Sequence, residues 1–138
     1  MRYDIPEHKR LVFEQVIPVR WGDLDAMRHV NNAMYFRYME ISRIDWMHSV
    51  GVQSDGDEGF VIVNAFCNFH RQITYPNDVL LKTYVSDPGR ATLESWATME
   101  LVGQPGVVHA SGGATMIWMD YRAMKSATLP DRFRALAG

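Results

Sequence analysis

The chain has 138 residues, a formal net charge of −2 and a single cysteine. This length fits one domain, residues 1–138, which can bury a core without help from a disulfide or a metal. The near-neutral charge argues against a nucleic-acid partner, and the lone cysteine argues against a cysteine-based metal site. The sequence has no apolar run long enough for a membrane span or a signal peptide, so we expect a cytoplasmic protein.

The first predicted elements are a strand and a loop. Residues 11–20 are rich in β-branched side chains, which predicts a strand, and Pro18 within it indicates an edge position or a bulge. Residues 22–30 are mostly polar and begin with a glycine, which is typical of a loop.

A long helix is predicted next, over residues 32–50, because this stretch contains no glycine or proline. Asn31 or Asn32 can cap its start, since a short polar side chain there accepts backbone N–H groups that are otherwise unpaired. Gly51 follows the last turn, as is common after a helix. Apolar side chains occur around much of the circumference, so we expect other elements to wrap around this helix.

Beyond a charged loop, the apolar residues recur at every second position, which predicts strands. Four strands and a final short helix are expected, over residues 60–70, 79–86, 91–101, 107–120 and 131–136. The pattern is that of an α+β domain, with a single antiparallel sheet packed around one long helix. Gly112 and Gly113, inside the last strand, indicate either a close approach of another element or a bulge.

Polar residues are concentrated in the loop before the long helix, which holds Asp23, Asp25 and His29. The first backbone N–H groups of a helix are unpaired and the helix dipole adds partial positive charge, so this end could stabilise an oxygen that becomes negative during acyl transfer. A carboxylate a few residues upstream could attack the carbonyl or activate a water. A capped helix after a solvated acidic turn accounts for the same residues without any chemistry, and composition alone favours that interpretation.

Residues 20–40 carry a more specific pattern. They read Arg-Trp-Gly-Asp-x-Asp-x-x-x-His-Val-Asn-Asn and continue with Tyr-Phe-x-Tyr-x-Glu. This segment resembles the active-site segment of the hotdog-fold acyl-CoA thioesterases, in the 4-hydroxybenzoyl-CoA thioesterase family. The resemblance implies the hotdog fold, a long central helix wrapped by an antiparallel sheet. It also implies an enzyme that hydrolyses an acyl-CoA or acyl carrier protein thioester to a free acid.

The resemblance implies roles for individual residues of the loop. Asp25 matches the catalytic aspartate, as base or nucleophile, and Asn32 matches the position whose backbone N–H polarises the thioester carbonyl. His29 and Asn31 occupy the turn that shapes the site. Asp23 matches a residue that braces the loop.

Other positions are matched less firmly. Arg90 and Thr92 fall where relatives place basic and hydroxyl residues near the phosphates of CoA, although a solvated arginine in a turn accounts for Arg90 equally well. Relatives usually have glycine at Arg28, and glycine adopts a positive φ without strain. No metal or redox cofactor is implied, since CoA would be part of the substrate. The expected partners are that substrate and further copies of the chain, in a homodimer or homotetramer.

Two other functions fit the same fold, because a fold does not fix a function. A hotdog module could bind an acyl ligand without catalysis. The intact Gly-Asp-x-Asp argues against this function, whereas Arg28 in place of the usual glycine is compatible with it. A hotdog dehydratase or hydratase would act on the acyl chain, but such enzymes usually carry a different motif. Glu40 on the helix and Cys67 in an apolar strand are expected to be a structural polar partner and a buried structural thiol.

Overall fold

The computed structural model describes residues 3–137. Within them the chain forms β1 Arg10–Pro18, a 3₁₀ turn at Trp21–Asp23, α1 Asn32–Ser49, β2 Glu58–Phe69, β3 Asp78–Ser86, β4 Thr92–Leu101, β5 Val108–Asp120, β6 Lys125–Ser126 and α2 Asp131–Ala137. All the predicted strands and helices are present, with ends shifted by at most two residues. The 3₁₀ turn and the short β6 were not predicted.

The described strands form one antiparallel sheet in the order β1-β3-β4-β5-β2, and β6 pairs with the end of β5. This architecture confirms the predicted α+β class. Pro18 is the last residue of the edge strand β1, and the bulge of that strand lies between Leu11 and Phe13 instead. The opposite edge of the sheet is β2, which pairs with β5 on one side and with no described strand on the other.

The sheet packs against one face of α1. Six residues of that face are buried: Tyr35, Tyr38, Met39, Ser42, Trp46 and Met47. Phe36 and Ile44, elsewhere on the circumference, keep 39% and 40% of their surface exposed. Within one chain, α1 is therefore covered by its own sheet on one side only.

Gly112 allows this helix to approach the sheet closely. A side chain here would place its Cβ 2.9 Å from Sδ of Met39 on α1 and 2.5 Å from the carbonyl oxygen of Phe66. The ladders on both sides of β5 run through Gly112 and Gly113 without a shift in register. Of the two interpretations of these glycines, the close approach is confirmed and the bulge is wrong.

Two clusters of buried apolar side chains fill the space between helix and sheet. One surrounds Tyr38 and Ile73, and the other surrounds Trp46 and includes Phe133 of α2. Cys67 packs against the first cluster, and burial raises the pKa of its thiol to about 12. The start of α1, where the polar loop joins it, is thus fixed on a packed core.

No helix within residues 3–137 is long and apolar enough to cross a membrane.

Candidate active site

The loop between β1 and α1 is held by bonds to its own backbone. The N–H of Asp25 donates to the carbonyl of His29 over 2.7 Å, and the N–H of Arg28 donates to the carbonyl of Asp25 over 3.1 Å. Oδ1 of Asp25 accepts hydrogen bonds from the N–H groups of Met27 (2.8 Å) and His29 (3.2 Å). One carboxylate oxygen is therefore fixed, whereas Oδ2 accepts no hydrogen bond within the described part of the chain.

Asp23 connects the same loop to the helix. Its Oδ2 accepts hydrogen bonds from the Tyr38 hydroxyl over 2.6 Å and from the Arg20 N–H over 3.0 Å. Its carbonyl accepts one from the N–H of Asn31 over 2.9 Å. Burial, and then the hydrogen bond to Asp23, raise the pKa of Tyr38 well above its usual value. The Asp23 carboxylate is thus engaged in holding the loop against α1.

Asn31 is the residue that caps α1. Its Oδ1 accepts a hydrogen bond from the N–H of Ala33 over 2.9 Å, and its carbonyl accepts one from the N–H of Met34 over 2.8 Å. The N–H of Asn32, the first residue of the helix, donates to no acceptor among residues 3–137. Since the helix dipole adds partial positive charge here, this N–H is suited to an oxygen that gains negative charge.

Asp25 and Asn32 line one cavity, which has a volume of about 300 Å³. Its walls come from the loop, the first turn of α1 and the residues at the end of β2: Asp25, His29, Val30, Asn32, Tyr35, Phe69, His70, Arg71 and Gln72. One space is thus bordered by a residue with a free carboxylate oxygen and by a residue with a free backbone N–H. Those are the two groups that acyl transfer requires.

Sequence reasoning missed several of these lining residues. Tyr35 is buried, its hydroxyl accepts a hydrogen bond from the N–H of Ile73 over 3.2 Å, and burial raises its pKa. Arg71 is exposed and forms no ion pair within residues 3–137, so it adds a positive charge beside Asp25. The direction of the elements could have indicated these residues: β2 runs antiparallel to α1, so the residues that follow β2 return to the start of the helix.

Arg90 and Thr92 lie away from this cavity. They belong to the end of the sheet where β3 turns into β4, whereas the loop of Asp25 adjoins the start of β3, where the Val19 N–H donates to the Asn77 carbonyl over 2.9 Å. The nine residues of β3 separate the two ends by roughly 25 Å, at about 3.3 Å a residue. One chain does not bring Arg90 or Thr92 to Asp25, and their contact with CoA stays a prediction.

A larger cavity, of about 710 Å³, lies beside the same loop. Trp21, Arg28 and Tyr75 line it together with Asp25, and Trp21 is 76% exposed. Arg28 has a φ of 65°, so the loop adopts the left-handed conformation that glycine would favour at this position.

Among residues 3–137, no three His, Cys, Asp or Glu side chains are grouped so that they could hold a metal ion.

The sequence of the chain matches a known protein family. A family model of the thioesterase-like superfamily matches residues 19–136. No curated protein matches the chain.

Solved structures show the same fold. The PA2801 protein from Pseudomonas aeruginosa, provisionally assigned as a thioesterase, is similar with a TM-score of 0.87 and 29% identity, over 91% of this chain and 98% of that one. A thioesterase from Thermus thermophilus, complexed with coenzyme A and Zn, has a TM-score of 0.78 and 25% identity, over 91% and 97% of the two chains. A DHNA-CoA thioesterase from Staphylococcus aureus shares the fold at a TM-score of 0.76 and 19% identity, over 89% and 84%. The hotdog fold expected from the sequence is confirmed.

Proposed function

The chain belongs to the thioesterase-like superfamily, and we propose that it is an acyl-CoA thioesterase that hydrolyses its substrate to a free acid and CoA. The observation that carries this proposal is the shared cavity, which the Asp25 carboxylate and the helix start at Asn32 both line. The relative from Thermus thermophilus, complexed with coenzyme A, supports CoA as the thiol carrier. The cytoplasmic location stays a prediction.

In the proposed mechanism, the thioester carbonyl oxygen accepts a hydrogen bond from the Asn32 N–H. This bond, together with the helix dipole, stabilises the negative charge that develops on the oxygen when the carbonyl carbon is attacked. Asp25 either attacks that carbon itself, giving an anhydride that water then hydrolyses, or takes a proton from a water that attacks. In both routes the CoA sulfur leaves as a thiol after protonation, and the Asp25 carboxylate is regenerated.

Asp25→Asn tests the assignment. The amide keeps an oxygen that can accept the hydrogen bonds of the Met27 and His29 N–H groups but loses the charge, so we expect kcat to fall about 100- to 10,000-fold. Release of CoA from a panel of acyl-CoA thioesters measures the effect. The matched control is Asp23→Asn, which changes the other carboxylate of the loop and should keep most of the activity.

The panel also separates the alternatives. Wild-type turnover by Asp25→Asn would contradict the mechanism. Tight binding of acyl-CoA without any release of CoA would instead identify a non-catalytic acyl-binding module. Including acyl carrier protein thioesters decides between the two carriers. A single turnover in ¹⁸O-labelled water detects the anhydride route if water attacks the Asp25 side-chain carbon of the anhydride, because the label then enters the Asp25 carboxylate, which the general-base route never labels.

Arg71 is proposed as a contact for the anionic part of CoA. The net charge of the chain is −2, so the overall field does not attract this substrate and local cations must do so. Arg71 is exposed at the Asp25 cavity and is free of ion pairs in the described chain, whereas Arg90 lies at the far end of the sheet. A contact of Arg90 with CoA would need a second copy of the chain.

We also propose that the working protein is a homo-oligomer joined through β2. The outer edge of β2 has no partner among the described strands, and Val61, Ile62 and Val63 are 40%, 37% and 50% exposed there. Antiparallel pairing of two β2 strands centred on Ile62 would align this apolar segment with the same segment of the second copy and give the free N–H and C=O groups of the edge their partners.

A further inference from the structure

A second cavity, of about 350 Å³, lies between α1 and β2. Ala33, which follows Asn32 in the first turn of α1, lines it, and so do Ile62 and Phe66 of β2. Asn32 of the first cavity and Ala33 of the second are consecutive on α1, and Phe69 and Phe66 both belong to β2, so the two cavities are neighbours along the groove between α1 and β2. An acyl group whose thioester carbon lies near Asn32 would extend from the first cavity into the second.

The second cavity combines apolar walls with three charged side chains, those of Arg37, Glu40 and Arg43. Phe36, Met39 and Ile62 supply apolar walls. The side chain of Arg43 is partly buried, and it also lines a small recess of about 10 Å³ beside Thr83, on the inner face of the sheet. Arg43 therefore borders both the second cavity and the inner face of the sheet.

One opposite charge lies near Arg43, that of Glu40, and it is already engaged by Arg37. Arg43 itself forms no ion pair and no side-chain hydrogen bond within residues 3–137. Burial lowers the pKa of Arg43 while the charge of Glu40 opposes this effect, and an arginine keeps its proton in proteins. A cation in an apolar cavity is costly unless a partner with negative charge reaches it.

We propose that Arg43 binds the far end of the acyl group, and that the preferred substrates are acyl-CoA thioesters whose acyl chain ends in a carboxylate. The planar guanidinium can form two parallel hydrogen bonds to a carboxylate. From Asn32 to Arg43 the helix advances about 16 Å, at 1.5 Å a residue, and the arginine side chain leans back towards the helix start, so an acyl chain of medium length spans the distance. This inference rests on the proposed thioesterase function and adds its substrate class.

The test compares pairs of acyl-CoA thioesters of equal chain length, one ending in a carboxylate and the other in a methyl group. We expect the wild-type kcat/KM to favour the carboxylate about 10- to 100-fold, because a methyl end leaves the guanidinium unpaired. Arg43→Met should reduce this ratio to about one, and Arg43→Lys, which keeps the charge without the fork, should give an intermediate ratio. The control Arg10→Met makes the same replacement at an exposed position of β1 and should keep the wild-type ratio.

The outcomes separate this inference from the proposed function. If the wild type hydrolysed the methyl-ended thioesters with a kcat/KM equal to or higher than that of the carboxylate-ended ones, the role of Arg43 would be overturned. The proposed thioesterase function would be unaffected by this result. If no thioester were hydrolysed, the proposed function would fail. Calorimetry would then measure the affinity for the two members of each pair, and equal affinities would overturn the role of Arg43. Loss of oligomers in Arg43→Met with an unchanged ratio would show that the guanidinium pairs with a second copy instead.

Discussion

Arg28 holds the turn of the Asp25 loop in a conformation that suits glycine. Its φ is 65°, and the left-handed region is unfavourable for other residues by about 1 kcal/mol. Arg28→Gly removes this strain, although glycine also gives the unfolded chain more freedom, so we expect the free energy of unfolding to rise by up to about 1 kcal/mol in urea denaturation. Arg10→Gly, in the extended strand β1, should lower it by about the same amount. A similar loss in both variants would contradict the assignment of strain to Arg28.

Cys67 illustrates how burial controls the chemistry of one side chain. Because burial raises the pKa of its thiol to about 12, the thiolate fraction at pH 8 falls to about 10⁻⁴, and the thiolate is the reactive form. We expect a disulfide reagent to modify the native protein roughly 1000-fold more slowly than the urea-unfolded chain, where the pKa returns to its ordinary value. Rapid labelling of the native protein would show that the thiol is accessible and ionised.

The same shift makes stability depend on alkaline pH. The folded pKa lies above the unfolded value of 9.0, so the contribution of Cys67 is complete below about pH 9 and is lost as the pH rises towards 12. Cys67→Ala should therefore flatten the decline of the unfolding free energy over this range. Urea denaturation at several alkaline pH values measures the difference, and an unchanged slope would contradict the raised pKa.

The candidate site shows which residues a sequence can reveal. Asp25 and Asn32 were predicted because they lie in one contiguous segment, so their proximity follows from a turn and a helix start. Arg71 joins them only because the sheet returns the end of β2 to that place, and its sequence neighbours do not indicate this. The separation of Arg90 from Asp25 depends in the same way on the length and direction of β3.

At the scale of elements, α1 and β5 are in contact because β5 lacks a side chain at Gly112. An added Cβ would lie 2.5 Å from a backbone oxygen of β2 and 2.9 Å from Sδ of Met39, and the backbone oxygen cannot move independently. We expect Gly112→Ala to destabilise the protein by about 1–3 kcal/mol in urea denaturation. Gly103→Ala is the matched control, since an added Cβ meets nothing within 4 Å there, and it should be close to neutral.

The elements themselves were predictable, whereas their arrangement was not. Asn31 and Gly51 mark the ends of α1 by local chemistry, a side-chain cap and a positive φ of 87°, and a sequence carries such signals directly. Alternation of apolar residues likewise marks the strands. The order β1-β3-β4-β5-β2 depends on pairings between distant segments, so the period of a strand does not indicate its neighbour. That β2 would be an edge was therefore learned only from the structure.

At the scale of the whole molecule, much exposed apolar surface lies on one side of α1 and along the free edge of β2. It includes Phe36 and Ile44 on the helix and the three consecutive apolar residues of β2. Proteins rarely leave an apolar edge strand exposed, because its free N–H and C=O groups pair readily with another strand. A second copy on this edge would also cover the groove in which we place the acyl group, so assembly and activity should be lost together.

Val63→Lys tests this link. Val63 lies where the register between β2 and β5 shifts, opposite no residue of β5, so the substitution should leave the sheet of one chain intact. A lysine on the edge opposes pairing with a second β2, and we expect a folded monomer in light scattering and at least a tenfold loss of thioester hydrolysis. Val102→Lys places the same charge at a turn position that is 51% exposed, against 50% for Val63, and should retain both the oligomer and the activity. A monomeric wild type at micromolar concentration, or an intact oligomer in Val63→Lys, would exclude β2 as the interface.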